Sequence, residues 1–174
     1  MEEVILVDQN DHPIGQMEKM EAHEKGLLHR AFSVLIFNNK GEILLQKRAS
    51  SKYHSGGLWT NTCCSHPRPG EEVLEAANRR LMEEMGMKAD LSERFHFIYK
   101  TDLDNNLIEH ELDHVLVGKT DVLPVLNHEE AEDFKYLDLL DLKDELKRNP
   151  HEYTVWFKII MEAYFDHQFK VEVA

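Results

Sequence analysis

The sequence predicts an α+β domain in which helices cover a sheet built largely from antiparallel pairs. Three observations predict it. Two pairs of strand-like runs are each joined by a short polar turn. One stretch between them repeats its apolar residues at spacings of three and four. Two further helical stretches close the chain, so strands and helices are mixed without a regular βα alternation.

The elements follow in order. VILVD (4–8) reads as a first strand, ended by a turn at Asn10-Asp11-His12-Pro13. Residues 17–25 suit a short helix before Gly26. AFSVLIFN (31–38) and EILLQKR (42–48) form a hairpin through Asn39-Lys40-Gly41. Residues 49–69 lack periodicity and carry Gly56, Gly57, Pro67 and Pro69; a loop of this length in a compact domain is often functional. The clearest helix spans 71–85, with Leu74, Ala77, Leu81 and Met85 on one face and Gly86 placed to end it. RFHFIYKTDL (94–103) and LIEHELDHVLVG (107–118) give the second hairpin. Helical stretches near 138–147 and 151–168 are separated at Asn149-Pro150. The 174 residues fit one domain spanning 1–174, since domains commonly run to about 100–200 residues.

Charge narrows the function. Asp and Glu number 33 against 20 Lys and Arg, a formal net charge of −13. Such a surface repels nucleic acid phosphates and anionic membranes, so neither is an expected partner. An anionic substrate would need local cations or a metal. The two cysteines, Cys63 and Cys64, are adjacent and form no disulfide framework. The acidic start MEEVILVD lacks the pattern of a secretory signal, and no apolar run reaches the roughly 18 residues of a membrane span. The expectation is a cytoplasmic protein.

Five groups of residues carry possible chemistry. His23 and His29, six apart, cannot share a helical face; with His66 and the pair Glu109 and Glu111 they offer three imidazoles and two carboxylates to a divalent metal such as zinc or manganese. Glu109 and Glu111 are two apart on a strand, hence on the same face and roughly 6–7 Å apart. The alternative is a scatter of surface histidines and acids. In TNTCCSHP (60–67), a Cys two residues before His66 reads as a nucleophile, a metal ligand, a proton donor or a small buried hydrophobe. In RRLMEEMG (79–86), Glu83 and Glu84 suit magnesium, while Arg80 and Glu84 also form an i, i+4 pair. Lys19, Arg48, Lys52 and Arg80 are cations able to hold a diphosphate. Tyr99, on the strand facing Glu109 and Glu111, and Trp156, on the last helix, are aromatic core residues unless the reaction needs them.

In order, AHEKGLLHRAFSV (22–34), GLWTNTCCSHPRPGE (57–71), RRLMEEMG (79–86) and EHELD (109–113) resemble the type I isopentenyl-diphosphate isomerases, a branch of the Nudix fold. The resemblance runs from about Val4 to Trp156 and implies a Nudix-type mixed sheet sandwiched between helices. It implies a substrate, isopentenyl diphosphate, converted to dimethylallyl diphosphate by protonation and deprotonation. It places the metal ligands on His23, His29, His66, Glu109 and Glu111, with manganese, zinc or magnesium as the ion. Cys64 and Glu111 become the catalytic pair, and Tyr99 and Trp156 the active-site aromatics. A magnesium accompanying the diphosphate falls to Glu84 and the Cys64 carbonyl, and the diphosphate itself to Lys19, Arg48, Lys52 and Arg80.

Two positions depart from the hydrolytic Nudix pattern. Aligned on Glu83, Glu84 and Gly86, its first Gly is Ser65, and the Glu that follows its Arg is Arg80; Glu71, Arg79 and Leu81 still match. An Arg in place of a magnesium-binding Glu argues against the main alternative, a Nudix pyrophosphohydrolase of a nucleoside diphosphate derivative. A non-catalytic metal-stabilised binding module is the other alternative.

Overall fold

A computed structural model describes residues 2–52 and 54–172, without the side chains of 168–172. The chain runs β1 (Glu3–Val7), β2 (Pro13–Glu18), α1 (Lys19–Lys25), β3 (His29–Phe37), β4 (Ile43–Arg48), β5 (Trp59–Thr60), β6 (Cys63–Ser65), α2 (Val73–Met85), β7 (Ser92–Asp102), β8 (Ile108–Lys119), β9 (Ala131–Leu137), α3 (Leu139–Arg148) and α4 (Val155–Glu172). Short 3-10 turns occupy Asp104–Asn106 and Pro150–Glu152.

β3 organises the sheet because its alternating side chains are apolar on both faces. Phe32, Val34 and Ile36 pack with Ala77, Leu81 and Met85 of α2. Leu35 points the other way, into a layer with Leu45, Val115 and the α4 residues Phe157, Ile160 and Met161. Helices therefore cover both faces of a mixed sheet. Side chains of this kind, wholly withdrawn from water, stabilise by about 1.5–3 kcal/mol each. β8 runs parallel to β3 along its whole length, pairing His29 with Glu111, and β7 pairs antiparallel with β8. On its other edge β3 receives β6, which sets Ser33 opposite Cys64.

The elements read from sequence are present, with shifted edges. Met17 and Glu18 end β2, and the first helix begins at Lys19. Leu74 is 47% exposed because it lies in the first turn of α2, whereas Ala77, Leu81 and Met85 are fully buried. β4 touches β3 at one residue pair and spends most of its length against β9, an element the sequence reading left out. Phe134 and Tyr136 give β9 its alternation, which intervening charges obscure. Gly86 ends α2 in the left-handed conformation (φ 61°), donating to the carbonyls of Leu81 and Met82.

Candidate active site

Helix α1, strand β3 and the segment after β6 bring three imidazoles together. Their ring centroids form a triangle with sides of 4.8 Å (His23–His29), 5.5 Å (His23–His66) and 5.0 Å (His29–His66). Gly26, left-handed at φ 59°, turns the chain between the first two, so residues six apart in sequence meet in space. Nδ1 of His23 donates to the Lys19 carbonyl at 2.7 Å, and Nδ1 of His29 to the Leu27 carbonyl at 2.8 Å. A carbonyl can only accept, so each ring keeps its proton on Nδ1 and leaves Nε2 with a lone pair. Nε2 of His29 and Nδ1 of His66 are buried with no hydrogen-bond partner. Oε1 of Glu111 lies 3.0 Å from Nε2 of His66 and 3.6 Å from Nε2 of His29. Ligand atoms of His23, His29, His66 and Glu111 all fall within 4.8 Å of one another. The orphaned Nε2 of His29, facing a carboxylate and a second imidazole nitrogen, is what a divalent metal satisfies, and the four residues fit one.

Burial, and then His29, lowers the proton affinity of His23; burial brings His66 down to about 4 against the pull of Glu111. Both are neutral near neutral pH, as metal ligands must be.

Glu109, the fifth residue of the expected metal set, stands a little apart. It lies in the same cavity but outside that set of four converging ligands. Tyr99 connects the two acids: its hydroxyl is 2.7 Å from Oε2 of Glu111 and 3.1 Å from Oε2 of Glu109. Burial and the charge of Glu111 hold the Glu109 carboxyl well above the usual carboxylate range. Burial also pushes Glu111 up, but the imidazoles of His29 and His66 outweigh it and hold this carboxyl well below that range. One acid keeps its proton and its neighbour does not.

Strand alternation in β6 separates the two cysteines. Cys63 is fully buried in the α2-side core, and Cys64 turns into the cavity. Burial holds the Cys64 sulfur as a thiol. The cavity measures about 260 Å³, just below the ~300–1,000 Å³ usual for ligand pockets. Trp156 forms part of its wall, with the Arg48 guanidinium 5.1 Å from the ring centre.

All four expected cations line this cavity. Lys19 pairs with Glu2 at 3.1 Å, and Lys52 with Glu130. Arg80 reaches Glu84 at 2.6 Å, Glu83 at 2.8 Å and Glu130 at 3.3 Å. Glu84 also accepts from Gln46 at 2.8 Å. Gln46, His54, Glu130 and Glu2 line the cavity too, outside every motif named from the sequence. A polar Gln46 inside the apolar run ILLQ was a usable signal. Glu130 carried none, because only folding brings it to Arg80. His54 stands edge-on to Trp156, 5.5 Å between ring centres.

A mixed sheet between helices, with an acid-bearing helix beside the cavity, defines a NUDIX domain, and the NUDIX domain family matches residues 27–157. The fold also matches solved structures at low identity. They include a MutT protein from Methanosarcina mazei (TM-score 0.66, 19% identity, 81% of this chain and 95% of that one) and a Nudix hydrolase from M. smegmatis (TM-score 0.61, 16% identity, 96% and 95%). Sequence similarity is far higher to enzymes named isopentenyl-diphosphate Delta-isomerase. One from Pectobacterium atrosepticum is 54% identical over 90% of this chain and 88% of its own length. Another, from Photorhabdus laumondii, is 53% identical over 94% and 93%. The chain belongs to the isopentenyl-diphosphate Delta-isomerase family of NUDIX proteins. Among the described residues, no helix is long and apolar enough to cross a membrane.

Proposed function

We propose that this chain isomerises isopentenyl diphosphate to dimethylallyl diphosphate, supplying both five-carbon units of isoprenoid biosynthesis. The observation that carries the reading is a single small cavity. It holds Cys64, Glu111 and Trp156 together with Lys19, Arg48, Lys52 and Arg80. The cations receive the diphosphate, and a magnesium accompanying it would be held by Glu84 and the Cys64 carbonyl. They fix the position of a hydrocarbon that offers nothing else to grip.

The reaction adds a proton to C4 and removes one from C2, passing through positive charge at the tertiary C3. Cys64 and Glu111 share the two transfers. Cys64 rests as a thiol, and the Glu109–Tyr99–Glu111 chain adds a proton that can move between carboxyls. Three histidines and Glu111, with Glu109 beside them, would hold a divalent ion, manganese, zinc or magnesium. Bound there, the ion would supply positive charge beside Glu111 and lower its proton affinity. The Trp156 ring already accepts one cation, the Arg48 guanidinium, and its face stabilises charge at C3 without capturing it; such contacts reach about 2 kcal/mol when desolvated. Exclusion of water keeps that charge from becoming an alcohol. A cytoplasmic, reducing setting suits a mechanism that needs a free thiol.

Arg80 occupies a position where hydrolytic NUDIX proteins carry a metal-binding Glu, which disfavours pyrophosphate cleavage. Proton NMR of the metal-replete protein with isopentenyl diphosphate and magnesium in D2O tests the reading. Dimethylallyl methyl signals should grow with deuterium incorporated. Cys64→Ser and Glu111→Gln should each slow this by at least about 100-fold, the lower end of what general acid–base groups contribute. An inactive wild type would overturn the proposal.

A further inference from the structure

A second cluster of ligating side chains stands on the opposite face of β8. His114 is three residues from Glu111, so strand alternation turns it away from the active cavity. Across the antiparallel pair it faces His96, with ring centroids 5.4 Å apart. Glu93, also on β7, is three residues from His96 and in a regular strand would point the other way. A bulge between Glu93 and Phe95 breaks the alternation and brings its carboxylate to the two rings. Oε1 of Glu93 then lies 3.1 Å from Nδ1 of His114 and 3.2 Å from Nδ1 of His96.

His114 is oriented as a ligand is. Its Nε2 is 3.1 Å from Oδ2 of Asp11, whose other oxygen accepts from Arg30 Nε at 2.7 Å. Asp11 can only accept, so Nε2 carries the imidazole proton. Nδ1 is then the ring atom that faces the Glu93 carboxylate oxygen. That nitrogen is buried and makes no hydrogen bond of acceptable geometry, although His114 is only 6% exposed. A ring nitrogen and a carboxylate oxygen held 3.1 Å apart are bridged by a cation, either a second ring proton or a metal ion. Donors at about 2.0–2.2 Å from a tetrahedral zinc stand about 3.3 Å from each other, close to both spacings here. A carboxylate on the far nitrogen of a ligating histidine is the usual outer support of such a site.

We propose that Glu93, His96 and His114 form a second divalent transition-metal site, of zinc type, oriented by Asp11 and separate from the active cavity. Bound there, the ion ties the β1–β2 turn to the β7–β8 pair. The test is zinc stoichiometry of the full chain, stripped with chelator, reloaded with zinc, desalted and measured by atomic emission. His96→Ala and Glu93→Gln alter exposed side chains and should each lower the bound zinc by one equivalent. His23→Ala should leave that equivalent in place. Asp11→Asn should weaken the site by about 10- to 100-fold in zinc titrations. A zinc count unchanged by both His96→Ala and Glu93→Gln overturns the proposal.

Discussion

The Tyr99 hydroxyl donates to Oε2 of Glu111 at 2.7 Å, across the strand pair that sets the two residues opposite each other. A hydroxyl has one proton to give. The second contact, to Glu109, is satisfied when Glu109 keeps its own proton, which burial and the Glu111 charge favour. Tyr99 therefore positions Glu111 and links it to a proton store. Tyr99→Phe keeps the ring stacked on Phe97 and removes only the hydroxyl. The expected result is a fall in kcat of about 10- to 100-fold, the usual cost of losing an outer partner of a ligating group, with KM within about twofold. Steady-state kinetics decide it; an unchanged kcat means the hydroxyl merely packs.

Lys52 pairs with Glu130 on the cavity wall. Lys52→Ala removes one cation and leaves a carboxylate facing the incoming diphosphate. Both changes act on binding rather than on the reacting carbons. KM for the diphosphate should rise about tenfold, equivalent to about 1.4 kcal/mol, with kcat changed less than twofold. A loss confined to kcat would place Lys52 in the chemical step.

His54 predicts an acid-dependent loss of stability. Burial, and then the neighbouring Arg48, bring its proton affinity down to about 3. The unfolded chain takes up the same proton near pH 6.5. Between those values acid favours the unfolded state, so stability is full above pH 6.5 and declines as the pH falls toward 3. From pH 7 to 5.5 this one group accounts for about 1 kcal/mol. His54→Gln should lose that much less than wild type over the interval, read from urea unfolding at the two pH values. Parallel losses in the two proteins would show that His54 ionises freely in the fold.

Much of the site was legible because its chemistry is carried by local strings. His23, His29 and His66 could be named as a metal set, yet spacing alone could not show that Gly26 turns the chain to join the first two. The separate fates of Cys63 and Cys64 follow from strand alternation in β6, a three-residue strand inside what reads as an aperiodic loop. β9 escaped notice because its aromatic alternation is diluted by Glu132, Asp133 and Lys135. Glu130 and Glu2 were invisible for a different reason. Their roles depend on cations far away in sequence, and nothing local distinguishes them from other surface acids.

Gly86 joins helix geometry to the site. It is left-handed at φ 61°, and a Cβ there would meet the Val125 carbonyl at 2.6 Å. That loop is fastened to α2 by the amides of Val125 and Asn127, which donate to the Met85 and Glu84 carbonyls. Gly86→Ala therefore carries two costs, about 1–2 kcal/mol for the left-handed backbone and a further displacement of the loop. Gly41 supplies the control: it too is left-handed, at φ 81°, but a Cβ there meets nothing within 4 Å. Gly41→Ala should lower Tm by roughly 2–8 °C, from the backbone term alone at about 2–4 °C per kcal/mol. Gly86→Ala should exceed it clearly. It should also raise KM for the diphosphate, because the displaced loop leads directly to Glu130 and its partners Lys52 and Arg80. Equal Tm losses in the two variants would show that the Val125 loop yields freely and that Gly86 serves only to end the helix.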